Sequence, residues 1–194
     1  MSRAERDKWD ARYRAGAYAE RAHPTALLAD WLDRLPRGRA LDIACGAGRN
    51  ALFLAAAGYT VDAVDISSAG LERGRETAAE RGVDPTWHCI DLEERPDALP
   101  RGPYDLVVWV RYVNAALWPL VVSRLAPGGH VLVEQHLVTS ADVVGPTSAA
   151  FRLAPGDLAR AASDLVTVYE HEGLVVDPDG RTAALAQLIG RRRD

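Results

Sequence analysis

Residues 41–67 read LDIACGAGRNALFLAAAGYTVDAVDIS, and this stretch decides the fold that we predict for the chain. It opens with a short apolar run, passes through a turn that contains Gly46 and Gly48, and continues as a helical pattern that Gly58 ends. A second apolar run follows at 60–65 and closes on Asp65. A strand, a glycine turn, a helix and a second strand in this order predict a parallel βαβ unit.

The sequence on either side of this unit continues the alternation of strands and helices. We predict three further strands, at 86–90, 104–110 and 130–135. A helix is predicted at 113–125, and Pro127, Gly128 and Gly129 are predicted to turn the chain into the fifth strand. Repeated βα units favour a parallel sheet with helices on both faces.

The two ends of the chain depart from this alternation. Ser2 and Glu5 form a capping-box pattern for a helix over 4–14, and Pro24 begins a second helix. Near the C-terminus, the turn sequence at 177–180 lies between two strand-like segments and predicts an antiparallel hairpin. The fold class is therefore α/β, a doubly wound Rossmann-like sheet that is mostly parallel, with an antiparallel C-terminal hairpin.

Length and composition narrow the possible functions. The 194 residues suit one domain, with 1–36 as a helical cap over it. A formal net charge of -4 argues against a nucleic-acid surface. The sequence has no apolar run long enough for a membrane span and no signal peptide, and it has two cysteines far apart. These features indicate a cytoplasmic protein, a monomer or homodimer, that binds small molecules, and no residue spacing suggests a metal site.

Three acidic residues and the glycine turn form the candidate cofactor site. Asp65 ends the second predicted strand about twenty residues after the turn, where a carboxylate can accept hydrogen bonds from ribose hydroxyls. Asp91 follows the third strand and could meet an adenine amine. A capping or turn-forming role remains the alternative for each acid. Asp42 lies inside the turn motif and suits an ammonium group better than a pyrophosphate, although it could instead bond only to the turn itself.

The stretch quoted above resembles the first two motifs of class I S-adenosylmethionine-dependent methyltransferases, and within them the tellurite-resistance and thiopurine-type small-molecule branch. CIDLEE after the third strand, PYDLVV in the fourth and APGGHVLVE in the fifth follow in the same order. The segments FRLAPGDLARAASDLVTVYEHE and DPDGRTAALAQLIGRR are similar to the last helix and hairpin of that branch. The resemblance covers nearly the whole chain and is most specific over 39–135.

This resemblance implies a seven-stranded sheet with a reversed last strand, and S-adenosyl-L-methionine as the cofactor. Gly46 and Gly48 would line its methionine part, Asp65 its ribose, and Asp91 with Leu92 its adenine. The N-terminal segment would fold over the cofactor, with Trp9 and Tyr13 in the same lid. The residues expected to contact the cofactor are Tyr18, Arg21, His23, Asp42, Ala44, Cys45, Gly46, Gly48, Asn50, Asp65, Ile66, Asp91, Leu92 and Trp109.

The expected chemistry is in-line methyl transfer, for which the protein mainly has to orient the acceptor and exclude water. His136 at the end of the fifth strand is the candidate base for an amine or hydroxyl acceptor. Arg111 is the candidate for holding an anionic group, and Tyr112 could form an aromatic wall with Trp109. Each of these residues also has a purely structural interpretation. The loop 136–150 is expected to shape the acceptor pocket.

The sequence departs from the branch at the substrate. Tellurite-type members carry a His-Arg pair between the last two strands, whereas this chain offers only Arg181 with Asp177 and Asp179 there. This departure puts an oxyanion such as tellurite in doubt. A soft sulfur, selenium or tellurium nucleophile, an amine or a hydroxyl all remain open as acceptors. Two other functions also remain open, namely a small NAD(P)-dependent reductase and a non-enzymatic sensor of S-adenosylmethionine.

Overall fold

A computed structural model describes residues 3–194 of the chain. Seven strands form one sheet: β1 (Arg39–Ile43), β2 (Thr60–Asp65), β3 (Thr86–Cys89), β4 (Tyr104–Val110), β5 (Leu125–His136), β6 (Val166–Val176) and β7 (Thr182–Arg191). The helices are α1 (Arg3–Arg14), α2 (Ala26–Trp31), α3 (Arg49–Ala56), α4 (Ser68–Arg81), α5 (Trp118–Arg124) and α6 (Asp157–Ala161). The predicted cap of the first helix by Ser2 lies outside the described residues.

The strand order is β3-β2-β1-β4-β5-β7-β6, so β1 lies near the middle of the sheet. β1 pairs in parallel with β2 and β4, and the outer pairs β2–β3 and β4–β5 are parallel as well. β7 runs antiparallel to both β5 and β6. The predicted mostly parallel sheet with a reversed C-terminal hairpin is thereby confirmed. Because the five parallel strands end at one edge, the residues that follow them are gathered there.

The core lies on both faces of this sheet. β4 shows why, since Leu106 and Val108 are buried in one apolar cluster while Val107 and Trp109 are buried in the other. This two-sided burial was expected from the continuous apolar sequence of the strand. Each large side chain buried in this way contributes roughly 1.5–3 kcal/mol to folding.

Three segments differ from the sequence prediction. The helix expected at 113–125 is shorter, because a 3-10 turn at Ala115–Leu117 comes before α5. β5 begins at Leu125, so the predicted turn at 127–129 is wrong: those residues form an irregularity inside the strand. Gly129 fits there because a Cβ atom on it would come within 2.8 Å of the carbonyl oxygen of Tyr104. The hairpin strands are long, and β6 continues up to Val176, directly before the predicted turn at 177–180.

None of the helices in the described residues is long and apolar enough to cross a membrane. Within residues 3–194, no group of three or more His, Cys, Asp or Glu side chains could hold a metal ion.

Candidate functional site

Asp65 ties the glycine turn to the end of the neighbouring strand. Its Oδ2 atom accepts the backbone N–H of Gly46 at 2.7 Å, and its Oδ1 atom accepts that of Ser67 at 2.8 Å. The side chain is buried, and burial raises the pKa of its carboxyl group. The carboxylate therefore fixes the turn after β1 against the end of β2 through contacts within the protein alone.

Two aromatic side chains cover the glycines of the turn. A Cβ atom on Gly46 would clash with the hydroxyl oxygen of Tyr13, and one on Gly48 would clash with the ring of Trp87. The absence of a side chain at Gly48 therefore makes room for the packed ring of Trp87. Tyr13 reaches over from α1, and burial raises the pKa of its phenol well above its usual value. The turn is thus shielded from water by the N-terminal helix.

Asp42 is fully buried directly beneath this turn. Its Oδ2 atom accepts the backbone N–H of Ala51 at 3.0 Å, whereas Oδ1 has no hydrogen-bond partner within the described part of the chain. Burial raises the pKa of this carboxyl group to about 7, although nearby Arg49 opposes the shift. A buried carboxylate oxygen without a donor is costly unless a polar or cationic ligand group satisfies it.

Two residues at the strand ends adopt the left-handed backbone conformation, which residues other than glycine rarely do. Ala44 follows β1 with a φ of 55°, and Arg111 follows β4 with a φ of 59°. Such conformations cost of order 1–3 kcal/mol each and concentrate at functional sites. The two positions follow the adjacent strands β1 and β4. This part of the sheet edge is therefore a candidate functional site.

The predicted adenine-binding residues lie further along the same edge, after β3. Asp91 and Leu92 are buried, and Ile66 is half-buried. Oδ1 of Asp91 accepts the backbone N–H groups of Glu93 at 3.0 Å and Glu94 at 3.2 Å. Asp91 thus also shapes the turn that follows, which is the turn-forming role expected as the alternative to adenine binding.

The N-terminal segment lies over the edge and is attached at α4. The buried carboxylate of Asp10 accepts hydrogen bonds from Ser67 Oγ at 2.7 Å, Ser68 Oγ at 3.1 Å and the N–H of Ala69 at 3.1 Å. A carboxylate at the first turn of a helix satisfies backbone donors that would otherwise remain free. No sequence motif distinguishes Asp10 from the other charged residues of α1.

Tyr18, Arg21 and His23 continue this segment beyond α1. The ring centroids of Tyr13 and Tyr18 are 5.9 Å apart, and the guanidinium carbon of Arg21 lies 5.3 Å from the centroid of Tyr18. The carbonyl oxygen of His23 accepts a hydrogen bond from Arg49 at 3.2 Å. The three residues are thus placed between the glycine turn and the β6–β7 turn.

Glu134 is the centre of a buried polar network behind the site. Only 1% of this residue is exposed, and its carboxylate accepts hydrogen bonds from Thr25 Oγ1 at 2.6 Å and Gln187 Nε2 at 2.9 Å. Arg111 Nε approaches the same carboxylate at 3.3 Å. Asn50 Oδ1 in turn accepts the N–H of Thr25 at 3.0 Å. One acid thus joins the N-terminal segment, β5, β7 and the residue after β4.

Arg111 forms ion pairs with two carboxylates. Beyond Glu134, its Nη2 atom lies 2.5 Å from Oδ1 of Asp177 in the β6–β7 turn. Burial acts to lower the pKa of this guanidinium, but Asp177 and Glu134 raise it overall. Arg111 therefore holds the hairpin turn against the end of β4, which leaves it less free to bind an acceptor than the sequence suggested.

His136 lies buried at the end of β5, as the strand prediction required. Its Nδ1 atom has no partner within the described residues, and Gly145 of the following loop lies beside it. Burial lowers the pKa of His136 to about 4, and Arg111 and Arg152 act in the same direction. The ring is therefore neutral at physiological pH and is a weak base.

Trp109, Tyr112 and Cys45 are largely structural in this conformation. Trp109 is buried in the core, where its ring centroid lies 5.7 Å from that of Trp118, and its Nε1 donates to the carbonyl oxygen of Tyr112 at 2.6 Å. The hydroxyl of Tyr112 accepts from Asn114 at 3.0 Å, and burial raises its pKa to about 12. Cys45 is buried, and burial raises the pKa of its thiol.

The structure arranges the predicted site residues in two adjoining groups along the edge. One group surrounds the glycine turn and the ends of β2 and β3, and the other lies at the ends of β4 and β5 with the N-terminal segment and the hairpin turn. Sequence reasoning missed Thr25, Arg49, Glu134 and Gln187. A glutamate inside the apolar run VLVEQH was the one available signal for the network, because a buried charge requires partners.

Comparisons with known proteins agree with this arrangement. The methyltransferase domain family matches residues 40–129, from β1 into β5. Ribosomal protein L11 methyltransferase of Bordetella parapertussis is 37% identical over 138 residues, which cover 66% of this chain and 42% of that protein. Ubiquinone biosynthesis O-methyltransferase of a Caulobacter species is 34% identical over 100 residues, which cover 49% of this chain and 39% of that protein. The chain thus spans less than half the length of these relatives.

Among solved structures, TehB from Haemophilus influenzae superposes with a TM-score of 0.73 at 21% identity, over 86% of this chain and 61% of TehB. This likeness shows a shared fold. Fold and domain match agree on one class: residues 40–129 are similar to the methyltransferase domain family, and the chain shares its fold with TehB.

We predict that Glu134→Gln lowers the free energy of unfolding by about 2–4 kcal/mol, because it removes a buried charge that several donors share. Urea unfolding followed by circular dichroism measures the change. Glu80→Gln on the exposed face of α4 is the matched control and should stay within about 0.5 kcal/mol of the wild type. Equal losses in the two variants would contradict the network.

We predict that His136 destabilises the fold in mild acid. Its folded pKa of about 4 lies below the ordinary value near 6.5, so between these values the unfolded chain binds the extra proton. This contribution to stability is present above pH 6.5 and is lost as the pH falls towards 4. His136→Gln should therefore show a flatter dependence of unfolding free energy on pH over this window than the wild type. Parallel curves from urea titrations at several pH values would refute the assignment.

Proposed function

We propose that this chain is an enzyme that transfers a methyl group from S-adenosylmethionine to a small-molecule acceptor. The observation that carries the proposal is the convergence of the glycine turn, Asp42 and Asp65 at the ends of adjacent strands. The match of 40–129 to a methyltransferase domain supports it. We also propose that residues 1–194 act as one domain in which 1–36 covers the site.

The residues at this edge fit the cofactor. The partnerless Oδ1 atom of Asp42 suits an ammonium group, which would satisfy a buried carboxylate oxygen. Asp65 would hold the ribose, while Asp91 and Leu92 would hold the adenine and Ile66 would pack against it. Ala44, Cys45, Gly46, Gly48 and Asn50 would form the surrounding turn. When bound, the cofactor supplies an activated methyl group on a sulfonium centre.

The protein's own contribution is positioning and exclusion of water. Tyr13 and the N-terminal segment cover the glycine turn, and the Glu134 network holds that segment on the strand ends. Tyr112 keeps its proton at physiological pH, as a phenol ordinarily does, and burial raises its pKa further, so it offers a hydrogen bond and not a base. His136 is neutral and can accept a proton at Nδ1, but its low pKa restricts it to weak base catalysis.

Because neither Tyr112 nor His136 is a strong base, the site favours an acceptor that is already nucleophilic, such as a thiol or another soft nucleophile. A small-molecule acceptor suits this site better than a ribosomal protein such as the one in the name of the Bordetella relative. The reason is that the N-terminal segment and the hairpin turn meet over the edge, where Arg21 and Asp179 lie 3.8 Å apart. A folded protein substrate would require that cover to open.

Calorimetric titration with S-adenosylmethionine and S-adenosylhomocysteine tests the cofactor assignment, and NADP⁺ serves as the comparison ligand. Turnover of a panel of thiol, selenol, amine and hydroxyl acceptors tests the reaction. We expect both adenosyl ligands to bind and at least one small acceptor to be methylated. Binding of NADP⁺ alone, or binding without any turnover, would overturn the proposal.

We predict that Asp65→Ala weakens S-adenosylhomocysteine binding by about 1–3 kcal/mol, because a charged hydrogen-bond acceptor is lost at the ribose and the glycine turn loses its support. Asp33→Ala, at a side chain that is 94% exposed, is the control and should bind as the wild type does. Unchanged affinity of Asp65→Ala in calorimetry would show that the ribose assignment is wrong.

We predict that the affinity for S-adenosylhomocysteine falls as the pH drops below 7. Asp42 has a pKa of about 7 without ligand, so it must lose its proton before it can pair with the ligand's ammonium group. Binding should weaken roughly fivefold from pH 7 to pH 6, because the ionised fraction of Asp42 falls from about one half to about one tenth. Asp42→Asn should bind more weakly overall but lose this slope, and a variant with the same slope would exclude Asp42 as its source.

A further inference from the structure

Gln135, the next-to-last residue of β5, carries a polar atom that the protein leaves unsatisfied. Only 3% of the residue is exposed, and its Oε1 atom has no hydrogen-bond partner within the described part of the chain. A buried amide oxygen without a donor is costly, so folded proteins usually satisfy it with a water molecule or a ligand. The cofactor assignment made above does not use this side chain.

Two carbonyl groups at the end of β4 fix the orientation of the Gln135 amide. Its Nε2 atom donates to the carbonyl oxygen of Tyr112 at 3.0 Å and lies 3.5 Å from that of Trp109. Because carbonyl oxygens only accept hydrogen bonds, the amide cannot be turned over without the loss of both contacts. Oε1 therefore points away from the end of β4 and stays open to a donor from elsewhere.

The strand register places Gln135 at the edge where ligands are expected to bind. Ile43, the last residue of β1, pairs with Trp109, and Trp109 pairs with Val133. Gln135 lies two residues beyond this level, as Cys45 in the turn after β1 does. Two strand spacings separate β1 from β5, which amounts to about 10 Å. A small molecule that receives a methyl group at the glycine turn can therefore reach Gln135.

The location of Gln135 favours the acceptor over the cofactor as its ligand. The residues expected to hold the adenosyl group follow β2 and β3, on one side of β1, whereas β4 and β5 lie on the other side. The surroundings at the end of β5 are apolar. Leu137 is buried in the core there, and Tyr112, Val143 and Leu153 pack against the same cluster with partly exposed side chains.

We propose that Oε1 of Gln135 accepts a hydrogen bond from an N–H or O–H group of the methyl acceptor, so that the enzyme selects largely apolar small molecules that carry such a donor. This inference rests on the methyltransferase function proposed above. Oε1 is buried in this conformation, so the loop that carries Val143 and Leu153 shifts when the acceptor enters. A molecule without the donor leaves Oε1 unsatisfied, which is the basis for discrimination against it.

Pairs of thiol probes that differ in one group test the proposal, namely the ortho, meta and para isomers of aminothiophenol and of methylthiophenol. An aromatic amino group is uncharged at neutral pH and similar in size to a methyl group, but only the amino group donates hydrogen bonds. Each probe is titrated calorimetrically, under reducing conditions, into the 194-residue chain saturated with S-adenosylhomocysteine. We expect at least one amino isomer to bind tenfold or more tightly than its methyl counterpart. Equal affinities at all three positions would overturn the proposal and leave a buried water as the partner of Oε1.

Gln135→Met separates recognition of the acceptor from support of the residues after β4. Methionine has a similar length but neither a strong donor nor a strong acceptor, so the variant should lose the preference for the amino isomer. If Gln135 only supports the end of β4, the variant weakens both members of a pair equally and keeps the preference, which would refute the proposal. Glu80→Met, at an exposed position on α4, is the control and should keep the full preference.

The outcomes also separate this proposal from the one on which it rests. If S-adenosylhomocysteine does not bind the wild type, the methyltransferase proposal fails and this one with it. If it binds but no amino isomer is preferred, only the acceptor assignment is overturned. A further titration of the wild type keeps the test independent of how the variant folds. The N,N-dimethyl form of the preferred amino isomer has no N–H group and should lose the tenfold gain, whereas an unchanged affinity would show that no donor is recognised.

Discussion

The site depends on one buried carboxylate, that of Glu134. A charge in the middle of a sheet is tolerated only when hydrogen-bond donors surround it, and here Thr25, Arg111 and Gln187 supply them. Because these donors come from the N-terminal segment, the end of β4 and β7, satisfying the charge fixes three parts of the chain at once. Arg111 extends the constraint to Asp177 in the hairpin turn. The charge of Glu134, which would destabilise an isolated strand, thus fixes the position of the N-terminal segment and the hairpin turn on the sheet.

The strand order divides the sheet edge into two chemically different halves. On the side of β2 and β3 the polar groups are acidic, and they suit hydroxyl, amine and ammonium groups. On the side of β4 and β5 both charges are present, because Arg111 pairs with Glu134 and Asp177, and the neutral ring of His136 lies at the end of β5. The glycine turn after β1 lies between the halves, where a methyl group would pass from one ligand to the other. This division follows from the strand order, because each strand delivers its own terminal residues to a fixed position.

Several details of the site could not be read from the sequence because they depend on side chains from distant segments. The glycines of the turn were expected to line the cofactor's methionine part, and only the structure shows that a Cβ atom on Gly48 would clash with the Trp87 ring from β3. Arg111 was correctly placed at the end of a strand, but its pairing with Asp177 joins residues 66 positions apart. His136 was predicted to act as a base because it ends the fifth strand. Its low pKa follows from burial and from the neighbouring guanidinium groups, which the sequence does not show.

The sequence by itself determined the alternation of elements, the parallel sheet with its reversed hairpin and the similarity to methyltransferase domains. These features follow from local signals, namely apolar periodicity, glycine turns and acids at strand ends, which act over a few residues each. Only the tertiary structure decided the partners of Glu134, the covering of the glycine turn by Tyr13 and the hydrogen bonds that orient Gln135. Those contacts join residues tens of positions apart, and their energies depend on burial and charge, which exist only once the chain has folded.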